Sequence, residues 1–254
     1  MGNRTRLTGS ILSVAMATGL VACGNAPSPT PSSSAIASPS PAPSTTVTPQ
    51  VTSTPRASAS ASADDGAPAG WTRAHGEGFS IAVPEAWQPL SAADLADSGI
   101  FDTMREANPD AAAVLDQAQT ALETGQLALF AFDPGQRTTE TGFAANLNII
   151  PVTDVGGGDL QDAADQMSQV IQLQIPVIGE IATDTTTLPA GEAAVIAYQW
   201  TVGLPSGESV DGAVTQYLVV TGDDGYILTM TGIGEDSAAD AARWEQMAGT
   251  FREE

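Results

Sequence analysis

Apolar and polar residues alternate along several short stretches of this chain, a pattern that predicts β-strands with one buried face. The first predicted strand covers residues 79–83 and is stopped by Pro84, which cannot donate a hydrogen bond to a neighbouring strand. Residues 127–132 are almost continuously apolar, which predicts a strand buried on both faces. The further predicted strands cover residues 145–152, 180–188, 192–202, 210–221 and 226–231.

The last four predicted strands follow one another with no helix between them, which indicates an antiparallel meander. Pro189-Ala190-Gly191 supplies the first turn of this meander. Gly222-Asp223-Asp224-Gly225 is a strong signal for a tight hairpin turn before the last strand.

Other stretches carry apolar residues at the spacing of amphipathic helices. Residues 91–106 are weakly periodic, whereas the next helix has clear boundaries. Asn108 suits its N-cap, Pro109 suits its first position, and Gly125 suits its end. The faces predicted to be buried are Leu95, Ile100, Phe101 and Met104 in the first stretch and Ala111, Val114, Leu115, Ala118 and Leu122 in the second.

Two further helices have N-cap residues. Asp159 caps the third helix, which follows Gly156-Gly157-Gly158 and ends at Pro176, and Ser237 caps the last. Their apolar faces are Leu160, Ala164, Met167, Val170 and Ile171 in the third helix and Ala241, Trp244, Ala248 and Phe251 in the last. Antiparallel strands with amphipathic helices packed on them predict an α+β sandwich, and residues 71–254 are enough for one domain with a proper core.

The N-terminus has the three parts of a secretory signal peptide. Arg4 and Arg6 come first, and residues 7–20 form an apolar stretch of about 14 residues, shorter than the roughly 20 that a membrane-spanning helix needs. The end, Leu20-Val21-Ala22-Cys23, resembles the lipobox of bacterial lipoproteins. The resemblance implies that residues 1–22 are removed and that the Cys23 thiol carries a diacylglyceryl group. The alternative is a chance Cys at the end of an ordinary signal peptide.

Residues 23–70 are predicted to be the lipidated Cys followed by a disordered linker. They consist mostly of Ser, Thr, Ala and Pro, and such a stretch cannot bury enough apolar surface to offset the loss of chain entropy on folding. About 46 residues reach about 35–40 Å as a random coil and about 140 Å as polyproline II, so the linker serves as a spacer. Glycosylation of its Ser and Thr residues is an open alternative that is compatible with this role.

The charge balance narrows the possible partners. The chain has 30 acids and 8 Arg, no Lys, and a formal net charge of −22, which excludes a polyanionic nucleic acid as a partner. The same charge opposes docking onto anionic lipid headgroups, so the expected membrane contact is the lipid anchor alone. Cys23 is the single Cys and His75 the single His, so neither a disulfide within the chain nor a zinc site built from several Cys and His ligands can form.

The candidate catalytic and metal-binding residues favour structural roles. His75 is predicted to lie in a surface loop, and no Gly-x-Ser-x-Gly motif is present, since Ser206 and Ser209 flank Gly207-Glu208 without that spacing. Turn formation and helix capping explain most of the acid pairs without a calcium ion. The acid pairs are Asp64-Asp65, Asp223-Asp224 and Glu235-Asp236.

The glycine run and the tryptophans also favour structural roles. Gly156-Gly157-Gly158 lacks the spacing and the Lys of the common phosphate-binding loops, and Asp159 would repel an anion there. Trp87, Trp200 and Trp244 are predicted to be core residues, and Trp71, at the linker junction, is the one expected to be exposed. We therefore expect no catalytic residue, no metal ion and no cofactor, and the sequence leaves the ligand-binding residues unknown.

The opening strand Phe79-Ser80-Ile81-Ala82-Val83-Pro84 with Trp87 resembles that of Mog1/PsbP-like domains. The meander, its aspartate–glycine hairpin and the closing helix near Phe251-Arg252 resemble the same fold. With the lipobox and linker, the chain resembles the LpqN/LpqT-type lipoproteins of mycobacteria and their relatives. This resemblance implies a central antiparallel sheet with helices on both faces and a non-enzymatic, accessory role.

The expected function is therefore that of a monomeric, lipid-anchored module on the extracytoplasmic face of the cell membrane. It would bind an envelope protein or lipid without transforming it. Two alternatives remain open at this point: a carrier that holds an apolar ligand between sheet and helix, and a cell-envelope hydrolase that uses paired carboxylates.

Overall fold

The computed structural model describes residues 67–96, 99–107, 112–137, 144–153, 155, 158–203, 209–222, 224–233 and 237–254. Cys23, the predicted signal peptide and nearly all of the predicted linker lie outside these residues. The described strands are β1 (Trp71–Gly76), β2 (Phe79–Pro84), β3 (Gln88–Ser91), β4 (Leu129–Arg137), β5 (Ala144–Val152), β6 (Val177–Leu188), β7 (Gly191–Gly203), β8 (Ser209–Thr221), β9 (Asp224–Ile233) and β10 (Arg252–Glu253). The described α-helices are α1 (Gly99–Ala107), α2 (Ala112–Glu123), α3 (Leu160–Gln174) and α4 (Ser237–Ala248).

Seven of the strands form a central sheet in the order β3-β4-β5-β9-β8-β7-β6. Every neighbouring pair in it is antiparallel. The last four of its strands along the chain form the predicted meander, and the β8–β9 hairpin closes with Thr221 opposite Asp224. Gly222 in that turn has a φ of 76°, which glycine adopts without strain.

One side of the central sheet, which we call the helical face, is covered by α1, α2 and α3. Phe130 and Leu218 of the sheet belong to the same apolar cluster as Leu115 of α2 and Met167 of α3. The amphipathic spacing of these helices explains the contact, because residues three and four apart share one side of a helix.

The other side of the central sheet, which we call the small-sheet face, is covered by α4 and a separate sheet of order β1-β2-β10. Leu129 and Leu147 of the central sheet pack there with Phe79 of β2 and Trp244 of α4. Successive strand residues point to opposite faces, so one strand can contribute side chains to the core on each side of the sheet. The nearly continuous apolar run of β4 is accordingly buried on both sides, as predicted. The predicted α+β class, with helices on both faces of an antiparallel sheet, is confirmed.

The small sheet was not predicted as a separate layer. The predicted strand at residues 79–83 exists as β2, but it pairs with β1 and β10 and not with the central sheet. The prediction that His75 lies in a loop is wrong, because His75 belongs to β1 and faces Ser80 of β2. Strands β3 and β10 have four and two residues, too few to produce a clear alternating pattern, and the six residues of β1 do not alternate between apolar and polar.

The predicted helix at residues 91–106 is wrong as a continuous element. Ser91 ends β3, a 3-10 helix covers Ala92–Ala96, and α1 begins at Gly99. The face predicted from the weak periodicity is nevertheless the one that packs, since Leu95, Ile100 and Met104 lie against the apolar cluster of the helical face.

The boundaries of the other helices follow local chemistry. Gly125, at φ 69°, ends the turn after α2, whereas Asn108 and Pro109 lie outside the described residues. Asp159 is the N-cap of α3, as predicted, and its carboxylate accepts hydrogen bonds from the backbone N–H groups of Gln161 and Asp162. Phe251 lies beyond the end of α4 but is fully buried in the apolar core of the small-sheet face.

Candidate ligand site

The acid clusters and the glycine run do not form a site within the described residues. No group of three or more His, Cys, Asp or Glu side chains in this part of the chain could hold a metal ion. Asp224 is exposed at the start of β9, and Gly158 is exposed before the N-cap of α3. The remaining residues of these motifs lie outside the described ranges; they are Asp64, Asp65, Gly156, Gly157, Ser206, Gly207, Glu208, Asp223, Glu235 and Asp236.

His75 interacts with the C-terminal residue and not with a nucleophile. Its Nδ1 lies 3.2 Å from Glu254 Oε2, and its side chain is 60% exposed. Hydrogen bonds from Ser80 and His75, with the more distant charge of Arg73, hold the pKa of Glu254 below its usual value. Ser80 is itself buried and accepts a hydrogen bond from Arg73 Nη1 at 3.1 Å. A nucleophilic serine needs an accessible hydroxyl that is hydrogen-bonded to its base, and Ser80 does not meet this requirement because it is buried. The contacts among Ser80, His75 and Glu254 instead hold β10 against β1 and β2.

Two carboxylates among the described residues are buried, and each has a partner in its own element. Asp133 accepts a hydrogen bond from the backbone N–H of Gly135 at 2.8 Å. Asp240 accepts one from Arg243 Nη1 at 3.1 Å. Their observed partners give both carboxylates local structural roles in β4 and α4, and neither contact corresponds to the acid and base pair that cleaves glycosidic bonds.

Five uncharged polar side chains form a buried cluster on the helical face, which we call the polar patch. Its members are Asn146 and Asn148 of β5, Thr229 and Thr231 of β9, and Gln216 of β8. The register places them side by side, with Asn146 opposite Thr231, Asn148 opposite Thr229, and Thr229 opposite Gln216. They are only 2–7% exposed. A polar cluster therefore occupies the middle of the sheet beneath the helices.

The polar patch satisfies only part of its own hydrogen-bonding capacity. Asn148 Nδ2 donates to Asn146 Oδ1 at 3.2 Å, and Gln216 Nε2 donates to Thr229 Oγ1 at 3.1 Å. Asn148 Oδ1 and Gln216 Oε1 are buried and have no hydrogen-bond partner. An unpaired buried acceptor costs about 1–3 kcal/mol, so the fold carries a penalty at the centre of its sheet.

Further unpartnered polar atoms surround the patch on the same face. Tyr198 of β7 lies opposite Val214, which lies opposite Thr231 of the patch. At the other side, Gln88 of β3 lies opposite Phe132. The buried atoms without a partner in this surround are Gln88 Oε1, Tyr198 Oη and Trp200 Nε1.

Helix α2 adds another buried polar atom from above the sheet. Gln117 Oε1 is buried without a hydrogen-bond partner. By helical spacing, Gln117 shares the side of α2 that carries Val114, Ala118 and Ala121, which pack into the core of the helical face.

The surroundings of the polar patch are apolar and partly aromatic. Burial raises the pKa of the Tyr198 hydroxyl, because the phenolate would lose its hydration. Phe130 and Phe132 stand beside Asn148 and Asn146 in the β4–β5 pairing, with ring centroids 5.9 Å apart. The polar patch is therefore an uncharged buried cluster bordered by aromatic rings.

Sequence reasoning missed the polar patch for a definite reason. Alternation in residues 145–152 shows two faces, and the polar face carrying Asn146 and Asn148 has the pattern of a face exposed to water. Gln216, Thr229 and Thr231 likewise occupy the polar alternate positions of their own strands. Their common parity on three adjacent strands was the available signal, but only the packing of α1, α2 and α3 shows that this face is covered.

The tryptophan predictions have mixed outcomes. Trp87 and Trp244 are buried core residues, as predicted, at 3% and 1% exposure. Trp200 is only partly buried against the core of the helical face. Trp71, the tryptophan expected to be exposed, is instead partly buried against the core of the small-sheet face.

The chain matches no protein-family model and no curated protein. Among solved structures, it is similar to cyanobacterial PsbP (CyanoP) from Synechocystis sp. PCC 6803, with a TM-score of 0.39 and 10% sequence identity. This similarity covers 77% of this chain and 99% of that chain. No helix in the described part of the chain combines the length and the apolar character needed to cross a membrane.

Proposed function

We propose that this chain is a lipoprotein on the extracytoplasmic face of the cell membrane that acts as a non-enzymatic binding module for an envelope protein or lipid. The observation that carries the proposal is the sequence Leu20-Val21-Ala22-Cys23 after a charged start and a short apolar stretch. Assignment to the LpqN/LpqT-type lipoproteins is the finer part of the proposal. It rests on that lipobox, the linker, and the opening strand with Trp87.

The position of the N-terminus in the domain supports presentation to a partner. Residues 67–70 lead directly into β1 of the small sheet. A chain anchored through Cys23 therefore joins the domain at its small-sheet face. The helical face lies on the opposite side of the central sheet, so the helices α1, α2 and α3 that cover it are on the side away from the anchor and can meet a partner.

A binding role also agrees with the polar and charged groups of the domain. The buried acids Asp133 and Asp240 have local partners, and the interactions of Ser80, His75 and Glu254 hold strands together. Turnover of a wall polymer or lipid by the purified chain, abolished by changing one or two carboxylates, would contradict the non-enzymatic part of the proposal and favour a hydrolase.

The anchor is tested by Cys23→Ala. This variant removes the only thiol that can carry the lipid, so the protein should move from the membrane to the aqueous fraction of lysed cells. Asn25→Ala, two residues away, leaves that thiol in place and should remain membrane-bound. A Cys23→Ala protein that stays in the membrane fraction would show that the lipobox interpretation is wrong.

Partner binding is tested by crosslinking in intact cells followed by mass spectrometry. One photoreactive residue replaces Leu173 on α3, whose side chain is 86% exposed, and another replaces the exposed Glu77 between β1 and β2. We expect an envelope protein or lipid to be enriched from the anchored chain and much less from Cys23→Ala. Equal, background-level recovery at both positions would contradict the binding role.

A further inference from the structure

The helical face holds an unusual concentration of buried polar atoms that the fold leaves unpaired. We propose that the polar patch is a binding site for a small uncharged molecule whose O–H or N–H groups donate hydrogen bonds to Asn148 Oδ1 and Gln216 Oε1. This inference goes beyond the proposed anchoring and partner binding, and it is tested separately from them.

The first step is that the unpaired oxygens of the patch destabilise the unliganded fold. Buried polar groups in native proteins are nearly always paired, and an unpaired one destabilises the fold. Asn148 and Gln216 each use one amide hydrogen inside the patch and leave the amide oxygen without a partner. Apolar side chains of the same shape would fill this face without that penalty. A ligand that donates hydrogen bonds explains why the polar groups are kept.

The second step concerns the chemistry of the ligand. Each amide nitrogen already donates one hydrogen bond, to Asn146 or to Thr229, whereas neither amide oxygen accepts one, and an acceptor needs a donor. The patch itself contains no charged side chain, and a buried ion without a paired charge is strongly disfavoured. The donors are therefore hydroxyl or amide N–H groups on a neutral molecule.

The third step concerns size. Gln216 and Asn148 lie on β8 and β5, which flank β9, so two strand spacings of about 4.8 Å separate them. The two rows of the patch are two residues apart along the strands, which corresponds to about 7 Å. The polar groups therefore span an area comparable to that of one ring with its polar substituents. The rings of Phe130 and Phe132 beside it offer an apolar contact.

The experiment follows the side-chain amide NMR signals of Asn148 and Gln216 in the purified full-length chain. The probes are myo-inositol, which offers hydroxyl donors, and nicotinamide, which offers an amide donor. Inositol monophosphate and nicotinate are their charged counterparts. We expect at least one neutral probe to shift both amide signals, and its charged counterpart to bind at least tenfold more weakly. The probe that binds decides between hydroxyl and amide donors.

The matched variant is the double substitution Gln216→Met with Thr229→Val, which replaces both partners of one patch hydrogen bond by apolar groups of similar shape. Gln199→Met, on the exposed side of β7, is the control for the Gln to Met change. We expect the double variant to keep or raise the thermal midpoint of the unliganded protein and to weaken probe binding at least tenfold. Gln199→Met should bind like the wild type.

Three outcomes would overturn the inference. The first is that neither neutral probe shifts the amide signals of Asn148 and Gln216, which would mean that the patch holds water only. The second is that a probe binds the double variant as tightly as the wild type. The third is a clearly lower thermal midpoint for the double variant, which would make the polar pair a structural element. The anchoring of Cys23 influences none of these measurements.

Discussion

At the scale of single residues, buried hydroxyl and amide groups distinguish the helical face from an ordinary apolar core. Tyr198 has a hydroxyl that is buried without a hydrogen-bond partner, and burial raises its pKa. The polar face of a strand is visible in the sequence, but whether water or a helix covers it is not. The burial of apolar positions such as Leu147 could be predicted from alternation, whereas the burial of Asn148, a polar position next to Leu147, could not.

The raised pKa of Tyr198 has a consequence for stability in alkali. In the unfolded chain this tyrosine ionises near its ordinary pKa of 10.0, while in the folded chain it stays protonated to higher pH. The unfolded state therefore binds fewer protons above pH 10, and the free energy of unfolding falls as the pH rises. Tyr198→Phe should remove this contribution and, at pH 7, leave the stability unchanged or raise it by up to about 1 kcal/mol.

Urea unfolding of both proteins between pH 7 and pH 11 measures this effect. The wild type should lose more stability than Tyr198→Phe above pH 10. Tyr217 and Tyr226 also have pKa values raised by burial, so a smaller alkaline loss should remain in the variant. Parallel curves for the two proteins over the whole range would contradict the assignment of a raised pKa to Tyr198.

At the scale of elements, the sequence was informative where an element is long or has a local boundary signal. Helix α3 was predicted with its N-cap, and the meander from β6 to β9 was predicted with its tight turn. Shorter elements depend on partners that are distant in sequence. Strand β10 has two residues and is held by pairing to β2 and by the interactions of Glu254 with Ser80 and His75. No local pattern near residue 252 could indicate that pairing.

The N-cap of α3 provides the test at this scale. Asp159→Ala removes the carboxylate that accepts from two backbone N–H groups, so the free energy of unfolding should fall by about 1 kcal/mol. Asp159→Asn keeps an acceptor and should lose much less. Asp162→Ala, in the same first turn, removes an acid near the helix dipole but no cap, and should cost about 0.3–1 kcal/mol. Equal losses in Asp159→Ala and Asp159→Asn, measured by urea unfolding, would contradict the capping role.

At the scale of the whole molecule, the small sheet that holds the two ends of the domain and the polar patch lie on opposite sides of the central sheet. The small sheet contains both β1 and β10, and it lies on the opposite side of the central sheet from α1, α2 and α3. The antiparallel α+β class could be predicted from the order of the elements along the chain. The existence of a second sheet could not be predicted, because the strand at residues 79–83 would have the same apolar pattern in either sheet. Layer assignment requires knowledge of which strands pair, and pairing is decided by packing across the whole domain.

The net charge is the whole-molecule property with the most direct physical consequence. Residues 71–254 contain 28 of the 30 acids and five of the eight Arg, so the folded domain repels itself. Raising the NaCl concentration from about 10 mM to about 150 mM shortens the screening length from about 30 Å to about 8 Å. We expect the thermal midpoint to rise by about 2–4 °C, the shift that about 1 kcal/mol produces in a domain of this size.

Calcium chloride at matched ionic strength separates screening from specific binding. The described residues contain no group of three or more acids that could hold an ion, so calcium should raise the midpoint only slightly more than sodium, through its higher charge near exposed carboxylates such as Asp224. A much larger rise that saturates at micromolar calcium would instead indicate a specific site. Asp224→Asn would then show whether the acids of the β8–β9 turn provide it, because loss of the saturating rise in that variant places the ion at the hairpin.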